Sequence, residues 1–256
     1  MFKALVFFLL FLPVSYCFAE AIISTESLHT DDLQRKFGEK EAKFLKDGEQ
    51  QFLTLQKTAM TSFTKGTVIL VPDWSQHAAS PKAIDMLRQQ LVDYGWNTLS
   101  LLVPDMLTQP DAENMLVYQD LLSKRMAVIM ETTKAPYHNI IVIAQGSSGA
   151  LLNQLYQSEK LTAPQGLILL SAYLADVELN QAASIALASH KIPTLDIQSQ
   201  IDHPFAMAQT QLRLQLARKH LKNSYRQRLM PGAIEESQYQ HWLFKEVYGW
   251  LQAQGF

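Results

Sequence analysis

Two runs in this chain, Val68-Ile69-Leu70-Val71 and Ile140-Ile141-Val142-Ile143, are apolar at every position. A strand with one wet face alternates apolar and polar residues. An unbroken run between turn residues instead marks a strand covered on both faces, as in parallel sheets. Further β-prone runs give strands at 51–56, 67–71, 98–103, 140–144, 167–171, 194–198 and 225–230. Helical periodicity fills most of the gaps, over 81–94, 112–133, 149–159, 176–190, 205–221 and 239–253. Strand, helix, strand along one chain requires right-handed crossovers. The expected fold is therefore α/β, a mostly parallel central sheet of about seven or eight strands with helices on both faces.

Local signals place some boundaries. Ser80 as a cap and Pro81 at the first helical position predict a helix start there, with Ile84, Leu87 and Leu91 on one face and Gly95 as its stop. The charged stretch 20–48, with spaced apolar residues, reads as an N-terminal helix and connector laid against the outside of a domain spanning 49–256.

Residues 1–19 have the form of an export signal. Lys3 supplies the positive start, Ala4 to Leu12 an apolar run too short to span a bilayer, and Cys17-Phe18-Ala19 small residues for cleavage after Ala19. The rival, a lipid anchor on Cys17, wants a small residue before the cysteine, and Tyr16 stands there. Cleavage removes the only cysteine, which excludes disulfides, thiol catalysis and thiolate metal sites from the exported chain. No later segment approaches a membrane span, so the expected location is the periplasm, with no transmembrane span in the mature protein. Twenty-two Lys and Arg against 24 Asp and Glu, with no dense basic stripe, argue against nucleic acid as a partner.

In such sheets chemistry sits beyond the carboxyl ends of the strands. After the second buried run the chain reads Ala144-Gln145-Gly146-Ser147-Ser148-Gly149-Ala150, a strand, a turn of small residues, and a helix. This resembles the nucleophile elbow of the α/β-hydrolase fold. Gly95 to Leu99, Ser199 to Pro204, Leu229 to Ala233 and Gly249-Trp250-Leu251 strengthen the resemblance by their order along the chain. Together they look similar to a family of secreted bacterial α/β-hydrolase-like proteins of unknown function.

The elbow can be registered in two ways. A nucleophile elbow strains its central residue and needs small residues two before and two after it. A centre at Gly146 has Ala144 and Ser148 there; a centre at Ser148 has Gly146 and Ala150. Both pass the steric test. The first ends the strand where its apolar run ends, and glycine suits a positive-φ position that needs no hydroxyl.

A serine needs a histidine to take its proton and an acid to orient that histidine. Asp202, after the strand at 194–198, falls where the resemblance puts the acid, although a turn aspartate capping the helix before Pro204 fits equally well. The histidine is expected after 225–230, but that loop offers Glu235 and Glu236 and no histidine. His241 follows inside the last helix, pointing away from the face of Leu243, Val247, Trp250 and Leu251. The loop that would supply half of an oxyanion hole is Pro72-Asp73-Trp74-Ser75-Gln76-His77, where a carboxylate opposes a developing negative charge unless turned away. Asp73, Trp74 and His77 accordingly read as turn, packing and surface residues. His203 is a loop or pH-responsive residue. His77, His203 and His241 have no metal-ligand spacing, so no metal and no cofactor are expected.

The sequence thus points to an exported α/β-hydrolase-like protein with a degenerate catalytic site. Gly146 takes the nucleophile position, and Gln145, Ser147, Asp73, Trp74, His77, His203 and Glu235 surround the elbow and cleft. The expected role is binding an unidentified small molecule or envelope component. The alternative is an active serine esterase using Ser148, Asp202 and His241.

Overall fold

The computed structural model of the chain describes residues 24–48, 50–105, 111–135, 138–220, 222–234 and 236–256. The proposed signal and Glu235 lie outside the described residues. In chain order the elements are α1 (Thr25–Glu41), β1 (Ala42–Asp47), β2 (Gln50–Lys57), β3 (Gly66–Val71), α2 (Ile84–Gln90, continued by a 3₁₀ turn Leu91–Tyr94), β4 (Trp96–Leu101), α3 (Ala112–Thr133), β5 (Asn139–Gln145), α4 (Gly146–Gln157), β6 (Gly166–Leu170), α5 (Val177–Ser189), β7 (Thr194–Ser199), α6 (Pro204–Ala208), α7 (Thr210–Lys219), β8 (Tyr225–Met230) and α8 (Gln240–Ala253).

The strands form one eight-stranded sheet in the order β1-β2-β4-β3-β5-β6-β7-β8. β1 and β2 pair antiparallel, β2 pairs antiparallel with β4, and every other pair is parallel. Strand alternation divides the core between two faces. Ile69, Val71, Val142 and Ala144 pack with α3, α4 and α5 through Tyr118, Leu122, Met126, Leu151 and Leu187. Val68, Leu70, Ile141 and Ile143 pack with α2 and α8 through Leu87, Leu243, Val247 and Trp250. A fully buried Leu or Ile contributes roughly 1.5–3 kcal/mol, so two continuous layers of them hold the centre of the sheet rigid beneath the loops. Caps fix the helix starts: the Asp111 carboxylate accepts the Asn114 amide at 2.8 Å, and that of Asp176 accepts the Leu179 amide at 2.9 Å.

Three local expectations need correction. The helix after Ser80 begins at Ile84 rather than Pro81, because Lys82 takes φ 82° and interrupts helical geometry. Ser80 instead closes the preceding turn, its hydroxyl accepting the His77 amide at 2.9 Å. The stretch 205–221, expected as one helix, holds α6 and α7, which meet at Gln209. The stretch 20–48 contains, besides its helix, the edge strand β1, which pairs with β2 from Ala42↔Leu55 to Asp47↔Gln50.

α1 is clasped near both ends. Glu26 pairs at 2.8 Å with Arg125, whose guanidinium is buried and also donates to the Leu102 carbonyl. Glu41 pairs with Arg88, whose side chain is fully buried. Between these clasps Leu33 joins Leu53, Leu55, Ala78 and Leu102 in a small separate core. The helix is therefore a docked part of the fold.

Candidate functional site

β5 runs into α4 with no intervening loop. Gln145 is still extended (φ −108°, ψ 149°) and Gly146 turns to φ 55°. That left-handed angle disfavours any residue with a β-carbon by about 1 kcal/mol or more. Ala144 and Ser148, two before and two after, are fully buried. Gly149 is required by packing, since a β-carbon there would stand 2.9 Å from the Ala144 carbonyl oxygen. The sharp strand-to-helix turn is thus centred on Gly146, the first of the two registers.

Asp73, two residues beyond β3, is turned toward this turn. Its Oδ1 accepts the Ser147 amide at 2.7 Å, and a β-carbon on Gly146 would lie 2.4 Å from the same oxygen. Oδ2 accepts the Ser75 hydroxyl at 3.3 Å. Burial pushes the Asp73 carboxyl above the ordinary aspartate value, against the opposing pull of the Ser147 amide first, then the Trp74 amide, the Ser75 hydroxyl and the Ser148 amide. Asp73 does close a turn, its carbonyl accepting the Gln76 amide at 2.8 Å, and beyond that expectation its side chain caps α4 from the loop after β3, with the acceptor group aimed at the positive end of the helix.

The remaining residues are not joined into a relay. Ser148 is buried, and its hydroxyl lies 2.8 Å from that of Tyr118 in α3. Tyr118 is buried too, which raises its hydroxyl pKa, and Trp74 meets its ring edge-on at 6.1 Å between centroids. Asp202 Oδ1 accepts the His203 amide at 2.8 Å and Oδ2 the Ser199 amide at 3.4 Å, so its carboxylate closes its own turn. His203 stacks on Tyr173 at 4.5 Å, and its Nδ1 accepts the Phe205 amide at 3.3 Å. His241 is exposed in the first turn of α8, with no ring hydrogen bond among the described residues. His77 faces His29 of α1 at 4.9 Å between ring centroids, and burial, then His29 and Lys36, lowers its pKa. Ser147 has a buried hydroxyl with no hydrogen-bond partner among the described residues. Among those residues no group of three or more His, Cys, Asp or Glu could hold a metal ion.

Sequence reasoning missed Tyr118. Its position on the buried face of α3, in step with Met115 and Leu122, was a usable signal, because a buried tyrosine hydroxyl needs a partner.

Comparison with known proteins places the chain. A family described as "Protein of unknown function (DUF3530)" matches residues 16–117 and 108–253. The chain belongs to this DUF3530 family. No curated protein matches its sequence. Among solved structures, it resembles the apo form of Thermogutta terrifontis esterase 2, with a TM-score of 0.63 and 10% identity over 84% of this chain and 95% of that one. Est1E from Butyrivibrio proteoclasticus gives 0.60 and 13% over 84% and 98%. Dienelactone hydrolase from Anabaena variabilis gives 0.59 and 18% over 83% and 96%. This DUF3530 protein thus has an α/β-hydrolase-type fold. In that fold the oxyanion hole is built from the amide after the nucleophile and an amide of the loop after an earlier strand. In this chain the amide of Ser147, the residue after Gly146, donates to the Asp73 carboxyl at 2.7 Å.

Proposed function

We propose that this protein is an exported member of the α/β-hydrolase fold that no longer cleaves esters and works by binding. One observation carries the reading: Asp73 Oδ1 lies 2.7 Å from the Ser147 amide, on the donor that would face a developing oxyanion. A substrate carbonyl would have to displace the Asp73 oxygen already seated on that amide, so the donor is not free to stabilise a developing oxyanion. Gly146 offers no nucleophile. Ser148, the hydroxyl of the esterase alternative, is engaged with Tyr118 rather than with a histidine.

Beside the loop that follows Asp73 there is room for a small ligand. A pocket of about 170 Å³ lies between Thr25 and His29 of α1, the 74–76 loop and the segment from Val103 to Asp105. Its occupant is a small molecule or an envelope component, reached after export directed by residues 1–19 and cleavage after Ala19. Among the described residues no helix is long and apolar enough to cross a membrane.

The test is hydrolysis of a panel of p-nitrophenyl esters of different chain length by the purified protein, beside its Ser148→Ala variant. The expected result is the same background rate for both. Turnover abolished by Ser148→Ala would overturn the reading.

A further inference from the structure

A pocket lies at the opposite end of the sheet from Gly146, against the first residues of β3, β4 and β5. It has a volume of about 700 Å³, within the range of small-molecule sites. Local geometry explains how it is built. α1 kinks at Gly38, which takes φ 59°, and the chain turns from there through Lys40 into β1. β1 pairs with β2, and β2 ends at Lys57, in register with Thr98 of β4. Lys40, Lys43 and Lys57 are thereby brought to one concavity, with Leu99 and Met60 as its apolar lining and His138, 2.7 Å from the Thr67 hydroxyl, on its wall.

The charges in this pocket are unbalanced. Among the described residues Glu41 is the one carboxylate that lines it, and Glu41 is already paired with the buried Arg88. Among the described residues none of the three lysines forms an ion pair. Lys43 donates to the Glu39 carbonyl at 2.6 Å and Lys57 to the Gln89 side-chain carbonyl at 2.6 Å, both neutral acceptors. Lys40 and Lys43 stand exposed at the rim, while Lys57 is half-buried. Three lysines lining one concave surface without a free carboxylate beside them among the described residues raise the local potential, which an anion would relieve. The chain as a whole carries a net charge of −2, so this local excess is not a by-product of a basic protein.

We propose that this pocket binds a phosphate-bearing ligand, its anionic group held by Lys57 with Lys40 and Lys43, and its less polar part against Leu99 and Met60. Two sources share that chemistry, a soluble phosphate ester and the headgroup of an anionic phospholipid. The site is independent of the elbow, so its test stands whether or not the protein hydrolyses esters.

The experiment has two arms on the purified protein: calorimetric titration with glycerol 3-phosphate, and co-flotation with vesicles of phosphatidylglycerol in phosphatidylcholine. Saturable binding in either arm, weakened about tenfold or more by Lys57→Glu and by raising salt from about 0.05 to 0.3 M, supports the proposal. Binding in the first arm identifies a soluble ester, and binding in the second alone identifies a lipid headgroup. Lys40→Glu, at the exposed rim, repeats the test in a variant whose folding is not at risk, with thermal melts as the control. No saturable binding in either arm, or binding unchanged by both charge reversals, would overturn it.

Discussion

The Asp73 carboxylate and the Ser147 backbone amide, 74 positions apart in sequence, meet at 2.7 Å where β5 becomes α4. This contact joins the loop after β3 to the first turn of α4 and leaves no room for a side chain at Gly146. The two features therefore depend on each other. A serine at 146 would collide with Asp73, and with Gly146 in place the carboxylate can take the helix amide.

Gly146→Ser should consequently destabilise the protein rather than restore a nucleophile. The left-handed angle and the 2.4 Å approach to Asp73 Oδ1 together should cost ~2–4 kcal/mol, read as a fall in melting temperature of roughly 2–4 °C per kcal/mol. Adding Asp73→Ala should recover part of the loss, so the double variant should be more stable than the sum of the two single changes. Strict additivity would mean that the two positions do not press on each other.

Ser148→Ala should act on stability instead of activity. It leaves the buried Tyr118 hydroxyl without its 2.8 Å partner, at a cost of ~1–3 kcal/mol. Tyr118→Phe in the same chain should remove most of the further penalty. A double-mutant cycle in denaturant unfolding should return a coupling of about 1 kcal/mol, and zero coupling would refute the contact.

A half-buried pair away from the elbow sets a pH dependence. Lys222 Nζ donates to the Leu187 carbonyl at 2.6 Å and lies 3.2 Å from His190 Nδ1, while His190 Nε2 lies 2.9 Å from Asn153 Oδ1. Burial pushes the Lys222 ammonium down to about 7, with Asp196 pulling weakly the other way. Burial, then the Lys222 charge, pushes His190 down to about 3. Between pH 7 and about 10 the unfolded chain holds the Lys222 proton that the folded chain has released, so stability rises with pH in that window. Below about 6.5 the unfolded chain takes up a His190 proton that the folded chain refuses, so stability falls as pH drops toward 3. Lys222→Met should flatten the alkaline rise relative to the unmodified protein in thermal melts. An unchanged slope would place the ammonium in solvent.

Much of this fold is legible in the sequence because its strands are strongly patterned. Ile140 to Ile143 are buried and could not sit in a strand with a wet face. α3 runs from Ala112 to Thr133, as its periodicity predicts, and starts on the Asp111 cap. β1 was not legible: Ala42-Lys-Phe-Leu-Lys-Asp is charged and mostly exposed, and it is a strand because β2 offers it an edge. The start of α2 was obscured by Lys82, whose left-handed angle no local signal announces. At the candidate site the turn of small residues marked the elbow, and Gly146 is where φ turns positive. The direction of Asp73 was not legible, because an aspartate after a strand faces solvent or the sheet according to what lies beside it. Here that is the start of α4, distant in sequence.

Export can be checked on the molecule itself. The protein recovered from the periplasm should begin at Glu20, and intact mass with N-terminal peptide mapping decides this. A chain retaining Met1 in the cytoplasm, or one diacylated at Cys17, would contradict the proposed processing.

The central claim is that the carboxylate of Asp73 occupies the place of an oxyanion in a protein without a competent nucleophile. Exposure of the purified, folded protein to excess fluorophosphonate followed by intact mass spectrometry tests it most directly. The account predicts an unmodified mass after prolonged incubation. Stoichiometric phosphonylation that maps to Ser148 and vanishes in Ser148→Ala would contradict it.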